Sequence, residues 1–239
     1  KATAGSAANL RLLAGEYLQL AIAQADLVQD AYDQTGIFAD EEESRGFGAV
    51  AALYTETCQV VVRADSDIRS IEDLHGRTVS IGAEESGSEQ NALQILSAYG
   101  LNDKMVSMVN LNYEDAAAQL KAGRVDAIFM TVGAPSPVLT ALAGECGIRL
   151  LNVDGAAAQR LQSAYSAYSG VTLPAGTYPG QTEEVQTVGV KAVLLASNAL
   201  PAKQVQQLTQ LLFSSREGLE EQLGIPLDPE ENAVEGVGI

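Results

Sequence analysis

Ser86, Gly87 and Ser88 stand where an anion could be held. They follow the apolar run Thr78–Ile81 and open the helical pattern Ser88–Tyr99. A helix start leaves several backbone N–H groups without internal partners and carries partial positive charge from the aligned peptide dipoles. Glycine lets an anion approach the backbone, and two hydroxyls can add donors, which suits a carboxylate, phosphate or sulfate. Ser-Gly-Ser is equally an ordinary helix cap. Gly5-Ser6, followed by Asn9, is a second Gly/Ser start, ahead of the periodic segment Leu10–Leu20, and is open to the same two readings. Thr131, Gly133 and Pro135 lie at the carboxyl end of the apolar run Asp126–Thr131. Ligands of open α/β sheets sit beyond such ends; a plain turn into the next helix is the alternative. Tyr54 and Tyr178 can each offer an aromatic wall and a phenol donor, or simply fill core.

Catalysis has no candidate constellation. Asp126, just before a buried strand, reads as a turn or capping residue, and the single His75 as a surface loop residue without a nucleophilic or acidic neighbour at motif spacing. No Gly-x-Ser-x-Gly elbow, phosphate loop or metal-ligand pair is present. One histidine and two distant cysteines, Cys58 and Cys146, rule against a structural zinc site and leave either a disulfide or, the favoured reading, two small buried thiols. Neither a metal nor a cofactor is expected.

The 31 acidic against 14 basic side chains give a net charge of −17, which repels nucleic acid and anionic lipid. An anionic ligand must therefore be held by local donors against an adverse overall field. No run of about 18 apolar residues is present to insert into a membrane. The opening KATAGSAANL, without Met or an apolar leader, reads as a processed or truncated start.

The elements that must position these residues alternate. Strands at Thr78–Ile81, Met105–Asn110, Asp126–Thr131 and Ile148–Val153 are interleaved with helices at Ser88–Tyr99, Tyr113–Ala122, Ser136–Ala143 and Ala156–Tyr165. That alternation predicts an α/β fold with mixed, mostly parallel sheets. AIAQAD reads as a short strand, Asp33–Gly46 as an acidic exposed loop, Ile68–Leu74 as a short helix, and Tyr168–Gln186 as turn-rich and aperiodic. Phe47–Leu53 is one strand and Gln59–Ala64 another; Gln59–Ala64 and Thr187–Ala196 bracket the regular block and would form a two-strand hinge between two lobes. Lobe 1 would comprise residues 1–66 and 187–239, and lobe 2 residues 67–186. A helix follows over Pro201–Leu219, and the tail PLDPEENAVEGVGI reads as poorly ordered.

Five stretches in this order, GSAANLRLLAGEYLQLAIAQAD, AALYTE, QVVVRADSDIRSIEDLHGRTVSIGAEESGSEQNALQIL, EDAAAQLKAGRVDAIFMTVGAPSP and LPAGTYPGQTEEVQTVGVKAVLLAS, make the chain resemble the TAXI group of solute receptors of TRAP transporters. These belong to the wider class of type II periplasmic binding proteins. The resemblance implies a two-lobed periplasmic or extracytoplasmic receptor that closes on a small organic acid or amino acid, such as glutamate or 2-oxoglutarate, and delivers it to membrane permease subunits. It also places a ligand-contacting loop at Ser86–Ser88, and the expected acid would be gripped between that helix start and Thr131–Pro135, with Gly5, Ser6, Gln24 and Tyr54 opposite. The family commonly has Gln-Ser-Asp where Gln24-Ala25-Asp26 stands, so Ala25 removes one hydroxyl. The family's opening strand and Gly-rich loop are absent, which would leave lobe 1 incomplete, and PLDPEE replaces its proline-histidine-proline-glycine run. A ligand-sensing input domain of a signalling receptor is the runner-up reading. An enzyme of the prephenate-dehydratase or pyrimidine-synthase kind is disfavoured for want of a cleft acid or base.

Overall fold

Strand and helix alternate through most of the chain, because short β-branched runs are separated by helix caps and glycine stops. The computed structural model describes residues 3–41, 45–223 and 227. In chain order the elements are α1 (Ser6–Ala14), β1 (Leu20–Gln24), α2 (Ala25–Asp33), β2 (Phe47–Arg63), β3 (Thr78–Ser80), α3 (Gly87–Ala98), β4 (Ser107–Val109), α4 (Tyr113–Lys121), β5 (Ala127–Val132), α5 (Pro137–Cys146), β6 (Ile148–Leu151), α6 (Gly155–Ala164), β7 (Ser169–Leu173), β8 (Val185–Ser197), α7 (Ala202–Ser214) and α8 (Arg216–Leu223). The expected α/β class with mixed pairing is observed, but the mostly parallel pairing is not: β1–β8, β2–β5, β2–β6 and β7–β8 are antiparallel, whereas β3–β4 and β3–β5 run parallel, because long β2 and β8 pair with strands that return against them. Two units divide at Thr55/Glu56, inside β2, and at Gly189/Val190, inside β8.

The first unit holds Lys1–Thr55 and Val190–Ile239. Here β1 pairs antiparallel with the second half of β8, Leu20 opposite Ala196 and Gln24 opposite Ala192. Ala21 and Ala23 are buried, while Leu20 and Ile22 alternate outward. The chain passes from β1 straight into α2, with Gln24 extended as the cap, and Leu27, Val28 and Ala31 bury one helix face. Val50, Ala196 and Val205 form a second core cluster, under α7. The expected poorly ordered tail lies outside the described residues, Leu227 apart.

The second unit, Glu56–Gly189, carries the more regular sheet. β2 is antiparallel to β5 on one side and to β6 on the other, while β3 runs parallel to both β5 and β4. Val60, Val61 and Val62 are fully buried, as a strand covered on both faces requires. α3 packs on α6, and α4 on α5. Val61, Ile128, Met130, Leu120, Leu139 and Leu142 meet in one core cluster. β7 pairs with the first half of β8.

Candidate functional site

The start of α3 is held by two side-chain bonds. The Ser86 hydroxyl accepts the Glu89 amide at 3.1 Å, and the Glu89 carboxylate accepts the Glu85 amide at 2.9 Å. Ser-x-x-Glu is the spacing of a capping box, but here the carboxylate takes the amide one residue before the cap, since the Ser86 amide donates to the Ala83 carbonyl at 3.1 Å. Asn110 adds a bond to the other Glu89 oxygen at 2.6 Å. Gly82, at φ +103°, lies so close that an added Cβ would sit 2.8 Å from the Ser88 Cβ and 3.0 Å from the Glu89 nitrogen. Only glycine lets the strand-to-helix loop fold this tightly.

Ser88 is 2% exposed, and its hydroxyl closes a ring of bonds. It accepts the Thr131 amide at 2.9 Å and lies 2.7 Å from the Tyr113 hydroxyl, which in turn donates to the Thr131 carbonyl at 2.8 Å. With Tyr113 donating to Thr131, Ser88 is left to donate to Tyr113. The Thr131 hydroxyl turns to the Cys58 sulfur at 3.4 Å. The side chains of Ser86, Ser88 and Thr131 are therefore occupied within the protein and fix the start of α3 against the end of β5. Gly87 and Ser88 are both buried residues, and their N–H groups find no acceptor among the described residues.

Gly133 is half-buried and Pro135 exposed in the turn leaving β5. The next residue, Ser136, caps α5 and donates its amide to the Tyr178 hydroxyl at 2.9 Å. Tyr178 is 1% exposed and its hydroxyl donates to the Gln59 side chain, which reaches on to the Val132 carbonyl at 3.3 Å. Burial pushes the Tyr178 phenol above its ordinary range, against the opposing effect of its bonds to Ser136 and Gln59. Tyr178 thus stands inside the second unit as a brace.

The other predicted residues lie in the first unit. Gly5 caps α1, and its carbonyl accepts the Asn9 amide at 3.0 Å. The Ser6 hydroxyl accepts the Gln24 amide at 3.1 Å, and the Asn9 side chain donates to the Ile22 carbonyl at 2.8 Å. Both tie α1 to the end of β1. Gln24 is 3% exposed, and Tyr54 is half-buried in β2. Arg11, the one arginine near a Gly/Ser loop, is paired with Glu41 at 2.8 Å and lies over the Phe38 ring.

The sequence reading missed Tyr113, Gln59 and Glu89. Glu89 was legible, since Ser86 and Glu89 stand at capping-box spacing; Tyr113 and Gln59 meet their partners only through the fold. Asp126 holds the Thr78 amide at 2.8 Å, the turn role expected of it. Cys58 and Cys146 are both free thiols. No helix among the described residues is long and apolar enough to cross a membrane.

The chain belongs to the NMT1-like family, whose model matches residues 1–234. Its fold is that of type II periplasmic binding proteins. The periplasmic aliphatic sulphonate binding protein SsuA from Escherichia coli matches at 18% identity and a TM-score of 0.53, over 94% of this chain and 67% of that one. An ancestral arginine-binding protein bound to arginine matches at 16% identity and a TM-score of 0.51, over 90% and 73%. XAC2383 from Xanthomonas citri bound to ATP matches at 11% identity and a TM-score of 0.58, over 93% and 75%. At these identities the likeness is one of fold.

Proposed function

We propose that this NMT1-like chain is an extracytoplasmic solute receptor that takes the anionic head of a small organic acid or amino acid at the start of α3. The observation that carries this reading is the pair of N–H groups of the buried residues Gly87 and Ser88, which have no partner among the described residues. Buried backbone donors are almost always satisfied, so two of them side by side at a helix start call for an acceptor from outside the chain. The helix dipole favours a negative one. Sulphonate, arginine and ATP, named for the similar folds, each carry an anionic group.

The acidic neighbours Glu84, Glu85 and Glu89 weigh against a highly charged ligand and favour a single carboxylate head, as in glutamate or 2-oxoglutarate bound by one end. Donation would come from the backbone, because the Ser88 and Thr131 hydroxyls are already engaged. Gly133 and Pro135 border the same strand end, and the Gly5 start of α1 is a separate candidate donor set. Membrane permease subunits of the TRAP type are the proposed recipients of the solute.

The test is a thermal-shift screen of amino acids and small organic acids, followed by calorimetry on Gly87→Val. A ligand at 100 times its Kd adds about 2.7 kcal/mol to stability. Gly87→Val should abolish binding by denying an anion the backbone, with Gly5→Val as the parallel test of α1. A ligand that binds Gly87→Val and the parent chain equally well overturns the α3 assignment.

A further inference from the structure

Within the second unit, a cavity of about 480 Å³ opens beside β6, walled by Arg69, Arg149, Gly180, Gln181, Glu183 and Glu184 among others. It lies by the end of β2 that pairs with Ile148, whereas the α3 start adjoins Thr131, paired with Cys58 towards the other end of the same strand. The two places belong to opposite ends of the sheet. Cavities of this size are the usual seat of small molecules.

Its chemistry is set by an unusual pair. The Nη1 atoms of Arg69 and Arg149 both donate to the Ile68 carbonyl, at 3.0 and 3.1 Å, which holds the two nitrogens within about 6 Å of each other. Both also donate to the Ser66 carbonyl, and Arg149 reaches the Ala64 carbonyl at 2.6 Å. Neither guanidinium forms an ion pair among the described residues, although the chain carries 31 acidic side chains. Each guanidinium has five donors, so both keep N–H groups for a ligand. Two like charges held this close repel, and an anion set against both relieves that repulsion.

The lining of the same cavity also carries the opposite sign. Glu183 and Glu184 also lack an ion-pair partner among the described residues. Their loop is pre-formed. The Gln181 side chain accepts the Tyr178 amide at 3.2 Å and donates to the carbonyls of Pro174 at 3.1 Å and Glu183 at 2.9 Å. A wall fixed in this way needs little reordering to receive a ligand.

We propose that this cavity binds a small zwitterion, its anionic head on Arg69 and Arg149 and its ammonium towards Glu183 and Glu184. The experiment is a two-dimensional amide and arginine NMR titration with taurine, and with methanesulfonate as the same head lacking the ammonium. Taurine should give saturable shifts at Gly180 and at the Arg149 side chain. Arg69→Ala, at an exposed position, should weaken taurine about tenfold by removing one charge-assisted partner while the amide spectrum stays folded. The double change Glu183→Gln with Glu184→Gln should weaken taurine and leave methanesulfonate unaffected. No saturable shift at these residues with millimolar taurine overturns the site, as does binding unchanged by Arg69→Ala. Methanesulfonate binding as tightly as taurine overturns the zwitterion.

Discussion

The Ser88 hydroxyl accepts the Thr131 amide at 2.9 Å, across 43 residues of sequence. This bond joins the first turn of α3 to the end of β5, and Tyr113 closes the ring by bridging both partners. The place of the helix start against the sheet therefore depends on a buried side chain. Ser88→Ala should destabilise the second unit by about 1–3 kcal/mol, because it strands a buried amide and half of a tyrosine bond. Urea unfolding followed by circular dichroism measures this. An unchanged midpoint would mean that the ring contributes nothing to the fold.

Gly82 tests the same junction from the strand side. At φ +103° any side chain is strained, and a Cβ meets the Glu89 backbone nitrogen at 3.0 Å. Backbone cannot swing aside as a flexible side chain can, so Gly82→Ala should cost about 1–3 kcal/mol. It should also displace the Gly87 and Ser88 amides from their present positions, which amide chemical shifts would register. Spectra that superimpose on those of the parent chain refute this.

The α/β alternation from Thr78 to Val153 was legible because each helix there has a local start or stop, such as Ser86 with Glu89 or Asn112 with Asp115. Four features were not. Phe47–Leu53 and Gln59–Ala64 read as two strands, yet β2 runs unbroken from Phe47 to Arg63, since the intervening Tyr54-Thr55-Glu56-Thr57-Cys58 holds no glycine or proline to stop it. α2 was unmarked, because β1 enters it without a loop and AIAQAD continues the strand pattern. β7, at Ser169–Leu173, lay hidden in a glycine-rich stretch and exists through its pairing with β8. The helix expected over Pro201–Leu219 is instead α7 and α8, broken at Ser215.

The candidate site was legible as positions and not as atoms. Ser88 and Thr131 meet, but the hydroxyls read as possible ligand donors bond to the chain itself. Sequence fixes which residues start a helix; which way a hydroxyl turns depends on partners such as Tyr113 that arrive from elsewhere in the chain.

Tyr178 gives a prediction with a pH signature. Its hydroxyl joins Gln59 to Ser136, and Tyr178→Phe leaves both without that partner in the interior. A loss of about 1–3 kcal/mol is expected at neutral pH. The phenol is raised from its ordinary value of 10.0, chiefly by burial. Stability held by the neutral phenol is complete below that value and is lost as pH rises through the higher folded value. The parent chain should therefore weaken above about pH 10, and its advantage over Tyr178→Phe should shrink there. A gap that stays constant to alkaline pH would show that Tyr178 does not titrate as a buried group.

Asp30, on α2 of the first unit, reverses the usual benefit of a carboxylate. Its carboxyl is raised from 3.8, first by burial and further by the nearby Asp33, with the Thr35 hydroxyl bond at 2.9 Å opposing. Protonated Asp30 fits the fold better than ionised Asp30. Its stabilising contribution is complete below 3.8 and falls away as pH rises through the higher folded value, so at neutral pH the charge is a net cost. Asp30→Asn keeps the acceptor for Thr35 and removes the charge. The variant should melt higher than the parent at about pH 7 and at the same temperature as the parent near pH 3. Calorimetric melting across that range decides the matter: a variant less stable at pH 7 would place Asp30 in a favourable charge interaction that outweighs its desolvation.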